Sequence, residues 1–94
     1  MGMGWVPLVK IREDENYVSY SYSRDSNVLD GTVIIKKTIL IEKDGLISDF
    51  IEIKLSTTDT DDGFFAKKGG ISLVSEVRRS DTLQFPEKRT FAWG

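Results

Sequence analysis

Two apolar, alternating runs bracket a Lys43-Asp44-Gly45 corner, and this pairing most constrains what the chain can fold into. Residues 32–42 and 46–55 each place large aliphatic side chains at every second position. That period belongs to a strand with one buried face. If Asp44-Gly45 formed a two-residue turn, the two apolar sets would fall on opposite faces of the hairpin. A three-residue loop closing on Gly45 in the left-handed region instead pairs Ile41 with Ile47, Lys37 with Ile51, Ile35 with Ile53 and Val33 with Leu55. Burial of one face selects register, so the three-residue loop is expected. Ile39 opposite Asp49 is the single mismatch. The second face carries Ile34, Lys36, Thr38 and Leu40 against Phe50, Glu52 and Lys54.

Two further strands precede this hairpin. Residues 5–12 alternate loosely, and Pro7 argues for a position near a sheet edge. Residues 17–23, YVSYSYS, place Val18, Tyr20 and Tyr22 on one side and Tyr17, Ser19, Ser21 and Ser23 on the other. After the hairpin, Ala66, Gly70, Leu73 and Val77 recur at helical spacing, with Val74 and Ile71 beside them. Lys68, Ser72, Ser75, Glu76 and Arg79 take the opposite arc. Asp59, Asp61 and Asp62 then stand at the start of that helix and Arg78-Arg79 at its end, as the helix dipole favours. Gly69-Gly70 opposes the helix by about 2 kcal/mol, and a strand over residues 71–77 is the rival reading. A short piece at 82–85 and a final strand at 90–93, with Phe91 and Trp93 on one face, complete the chain. The expectation is one α+β domain spanning residues 1–94: an antiparallel meander of about five strands with one helix packed across a face.

Composition narrows the chemistry. There is no cysteine and no histidine. Disulfides, thiol nucleophiles, Cys/His zinc sites and Ser-His or Cys-His relays are therefore excluded. Net charge is −2 with the 13 basic residues dispersed, whereas nucleic-acid binding usually rests on a concentrated basic face. No apolar run approaches the length of a membrane helix. The segment MGMGWVPLV lacks a basic stretch ahead of a long apolar core, so a signal peptide is not expected and the cytoplasm is the default location. Met1-Gly2 ahead of Met3-Gly4 has the form of a cloning remnant.

Four candidate sites emerge. TTDTDDGFFAKKGG, residues 57–70, has the aspartates of a calcium loop, but the EF-hand spacing puts Thr58 and Thr60 at ligand positions and Gly69 where Glu is needed. A looser cation site at Asp59, Asp61 and Asp62 competes with plain helix capping, which is preferred. The same stretch fails as a P-loop, since its lysines precede its glycines and no Lys-Ser or Lys-Thr follows. Tyr20, Tyr22 and Trp93 would make a stacking platform for a small ligand or single-stranded nucleic acid, against the simpler reading of a sheet face packed under the helix. Leu40 and Phe50, surrounded by Lys36, Glu52 and Lys54, suit contact with another protein or self-association as a dimer. No catalytic residue, cofactor or metal is expected.

The succession Tyr20-Ser-Tyr-Ser-Arg-Asp25, Asp30-Gly-Thr-Val-Ile34, Asp62-Gly-Phe-Phe-Ala66 and Phe85-Pro-Glu-Lys88 resembles a group of small, mostly uncharacterised bacterial domains, some of them similar to immunity proteins of toxin systems. The likeness covers about half the chain. It implies a β-meander with a helix packed on it and a function carried out by binding a protein. Gly69-Gly70 departs from the helix expected there. The group offers no catalytic motif, so no functional residue carries over.

Overall fold

The computed structural model describes residues 4–42, 47–60 and 62–93. Its side-chain account omits residues 47, 48 and 93. Five strands form a single antiparallel sheet: β1 (Gly4–Glu13), β2 (Tyr17–Tyr22), β3 (Gly31–Lys36), β4 (Ile51–Lys54) and β5 (Lys88–Trp93). The spatial order is β4-β3-β2-β1-β5. The first four strands are a meander. The one α-helix among the described residues, α1 (Phe64–Arg79), then carries the chain across one face of the sheet, and β5 returns beside β1. The expected α+β architecture is the one observed. No described helix is long and apolar enough to cross a membrane.

The core lies between α1 and the sheet. Val6, Leu8, Val18, Tyr20, Tyr22, Val33 and Ile35 meet Phe65, Ala66, Leu73, Val74 and Val77 there. Strict alternation in β2 and β3 produces this result, because every second side chain points toward the helix. As Pro7 suggests, β1 lies near an edge, second from the outermost β5, although it has neighbours on both sides. Its ladder with β2 begins only at Leu8 opposite Tyr22, so Pro7 pairs with Thr90 of β5 alone. A bulge between Lys10 and Arg12 then shifts the β1–β2 register. Lys10 lies 2.6 Å from Glu13 and 3.5 Å from Glu87, and Lys37 lies 2.6 Å from Glu13. Those ammonium groups hold the Glu13 carboxyl below its ordinary range.

The hairpin differs from expectation in length and register. Strand β3 ends at Lys36 and β4 begins at Ile51; the intervening chain makes 3₁₀ turns at Lys37–Leu40 and Ile47–Phe50. Ile35 pairs with Ile51 and Val33 with Ile53, two residues away from the expected register. A two-residue slip preserves the face, so the aliphatic set still points to the helix. The turns also resolve the Ile39–Asp49 mismatch. Ile39 is fully buried and Asp49 is exposed, which continuous strands would not allow. The Lys43-Asp44-Gly45 corner lies outside the described residues.

The helix forms over the glycine pair because both glycines face the sheet. A Cβ on Gly69 would stand 3.3 Å from Val6 Cγ1, and one on Gly70 would stand 3.3 Å from Ile51 Cδ1. Their absence lets α1 approach closely, which offsets part of their poor propensity. Capping is narrower than expected. Asp59 Oδ2 accepts the Ala66 N–H at 3.3 Å, while Gly63 is the N-cap at φ 81° without a side-chain cap bond. Exposed Asp62 adopts φ 55°, and Asp61 lies outside the described residues. At the other end, Arg78 Nε donates to the Ile39 carbonyl at 3.2 Å and ties α1 to the first 3₁₀ turn.

A candidate interaction edge

Strand β4 is the last strand on its side, and among the described residues only β3 pairs with it. Its alternation sends Ile51 and Ile53 toward the helix, where both are half-buried against the core, and exposes Glu52 and Lys54 on the opposite face. Three large apolar side chains flank this edge. Leu55 is 52% exposed, Phe64 55% and Ile71 37%. Phe64 and Ile71 lie two helical turns apart and so occupy one stripe of α1. That stripe stands over the β4 side of the sheet, because Gly70 abuts Ile51 and Gly63 lies close to Leu55 and Ile53.

The face away from the helix carries a shallow groove beside the same strand. Two adjoining depressions, of about 280 and 340 Å³, share Tyr17, Ile34 and Glu52. Lys36, Asp49, Phe50 and Ile51 extend the first; Arg12, Asp14 and Ser19 extend the second. Asp14 accepts N–H bonds from Asn16 and Tyr17, each at 2.8 Å, and these hold its carboxyl low. Of the expected surface, Lys36, Phe50 and Glu52 therefore meet in one groove, and Lys54 follows on the same face opposite Thr32. Leu40 does not join them. It sits in the first 3₁₀ turn, half-buried against the core, because β3 has ended before reaching it.

The tyrosine face is interior. Tyr20 and Tyr22 are fully buried beneath α1, so their rings are closed to a stacking ligand. The Tyr20 hydroxyl donates to the Pro86 carbonyl. The Tyr22 hydroxyl accepts the Ser56 N–H and donates to Asp59 Oδ2, both at 3.0 Å. Burial raises both phenols, that of Tyr22 to about 12. Trp93 pairs with Gly4 through its backbone, and its side chain lies outside the described residues. Asp59 is turned inward to Tyr22 and Ala66, and no metal-holding group of three His, Cys, Asp or Glu is gathered among the described residues.

This buried network anchors the end of β4. Ser56 and Thr57 both hydrogen-bond to Asp30, whose carboxyl is held low by those hydroxyls. Gly31 is required at the seam, since a Cβ there would stand 2.3 Å from the Tyr22 ring and 2.7 Å from Ser56 N. The chain leaving β4 is fixed on its inner side, and among the described residues no strand pairs with its outer side. Leu55, Phe64 and Ile71 were not singled out from sequence. The i, i+7 spacing of Phe64 and Ile71 is the signal that could have found two of them. No family model, curated protein or solved structure matches the chain.

Proposed function

We propose that this chain is a non-enzymatic protein-binding module whose partner docks along β4. The observation that carries this reading is an open strand edge bordered by Leu55, Phe64 and Ile71, all exposed. An unpaired edge offers a row of backbone donors and acceptors to an added strand. Apolar side chains beside it supply burial, and Lys36, Glu52 and Lys54 form a polar rim. The absence of histidine and cysteine supports a binding role over acid–base or nucleophilic chemistry. Immunity-type inhibition, as the family resemblance implies, would be one use of such an edge.

The test is capture with the tagged chain, comparing the wild type with a Leu55→Glu, Phe64→Glu double variant. Both positions are exposed, so the melting temperature should stay within a few degrees. The wild type should retain a protein, its own untagged copy included, and the variant should not. A wild type that retains nothing, or a variant that retains the same protein equally well, contradicts the reading.

A further inference from the structure

The pattern along β4 specifies one partner more closely than a free edge requires. We infer that a second copy of this chain pairs with β4, antiparallel and centred on Ile53, to give a continuous ten-stranded sheet. This rests on the reading of β4 as a docking edge. In that register Ile53 faces Ile53 of the second copy, Glu52 faces Lys54, and Ile51 faces Leu55, the residue just past the end of the strand. The two-fold axis makes each contact occur twice. Two cross-strand ion pairs then lie on the open face, and the apolar pairs lie on the helix face. Both helices stand on the same side, so Phe64 and Ile71 of each copy flank the axis there.

Alternative registers are worse for physical reasons. Centring on Glu52 sets two carboxylates opposite each other, and centring on Lys54 does the same with two ammonium groups; directly opposed like charges disfavour pairing. A shift by one residue puts Ile53 opposite a charged side chain and turns the apolar set to the wrong face. The other sheet edge lacks this self-complementarity. Pairing β5 with itself about Thr90 would set Lys88 opposite Ala92 and Arg89 opposite Phe91, with no opposed charges. The β4 contact is short, with only a few residues on each side. Its area falls toward the lower end of specific interfaces, so an affinity on the order of 10 micromolar is expected.

Sedimentation equilibrium across a micromolar to submillimolar series tests the assignment. Wild type should pass from one copy to two and stop. Glu52→Lys alone and Lys54→Glu alone each create like-charge pairs and should weaken association about tenfold or more. The double variant Glu52→Lys, Lys54→Glu restores opposite charges and should dimerise again. An equimolar mixture of the two single variants should form a heterodimer more tightly than either variant associates with itself. Unchanged melting temperatures would show that the variants fold. A wild type that stays monomeric, a mass that continues past two copies, or charge variants without effect would overturn the inference. If wild type is monomeric yet captures another protein through Leu55 and Phe64, the docking reading stands and only the second copy is removed; if it captures nothing, both fall.

Discussion

The sheet ends in two edges that the same fold treats differently. At β5, Arg89 reaches back to helix α1 and pairs with Glu76 at 2.9 Å, with its guanidinium over the Phe91 ring at 4.6 Å. The strand opens with two cations, Lys88 and Arg89, which discourage edge pairing. At β4, the described residues show no equivalent link from strand to helix. There the strand alternates Ile, Glu, Ile and Lys and is bordered by Leu55, Phe64 and Ile71. At β4 the side-chain pattern and the flanking apolar area agree, and that agreement, more than the unpaired edge alone, supports the proposed docking.

The largest expected effect comes from the anchor on the inner side of β4. Gly31→Ala should destabilise by about 3 kcal/mol or more in denaturant unfolding, because its new methyl would meet Ser56 backbone and a fully buried ring. A near-neutral result would mean that the end of β4 is not held as described.

Tyr22→Phe tests the same anchor through its hydroxyl. It removes the bridge between Ser56 N–H and Asp59 and should cost about 1–3 kcal/mol near neutrality. It should also soften the loss of stability in alkali. Burial pushes the folded Tyr22 phenol up to about 12 from its ordinary 10, so the fold favours the protonated form. That contribution is complete below about pH 10 and disappears as pH rises toward the folded value. Tyr20, raised in the same sense, maintains an alkaline limb in the variant. At the acid end the sign reverses. Glu13, Asp14 and Asp30 are held low, so their contribution is lost as pH falls below about 4.

A smaller effect distinguishes interior from edge beneath the helix. Replacing either Gly69 or Gly70 with Ala gains about 1 kcal/mol of helix propensity. On Gly69 the new methyl presses on Val6, fully buried in a strand with neighbours on both sides. On Gly70 it presses on Ile51, half-buried in the outermost strand, and meets Val33 of β3 only at an ordinary contact distance of 3.4 Å. Gly70→Ala should therefore raise the melting temperature, whereas Gly69→Ala should not. Equal responses would contradict the claim that β4 yields more readily than β1.

The smallest effect lies at β5. Arg89→Ala should cost less than about 1 kcal/mol, since the Arg89–Glu76 pair is well exposed to solvent. A double-mutant cycle with Glu76→Ala would isolate the pair, and a coupling well above this value would make β5 more firmly clamped than its geometry warrants.

These contrasts also show where the sequence stopped being readable. The faces of β2 and β3 were legible because a period of two leaves no ambiguity for Val18, Tyr20, Tyr22, Val33 and Ile35. The hairpin register was not, because residues 37–40 and 47–50 form 3₁₀ turns instead of extending the strands, and a two-residue slip changes no face. Helix α1 was legible from its stripe, but its phase was only approximate. Ile71 reads as a neighbour of that stripe, yet Gly69 takes the buried place and Ile71 reaches solvent. Which strand lies outermost is a non-local property. It depends on β5 returning beside β1 rather than β4, and nothing within 51–55 encodes that choice. The candidate edge could therefore be recognised only after the topology was known.

Hydrogen exchange at the two edges, measured at low and high protein concentration, tests the central claim most directly. If β4 is the docking edge, its outward amides should exchange more slowly as concentration rises, while those of β5 stay unchanged. Protection that grows at β5 instead, or at neither edge, would contradict the account.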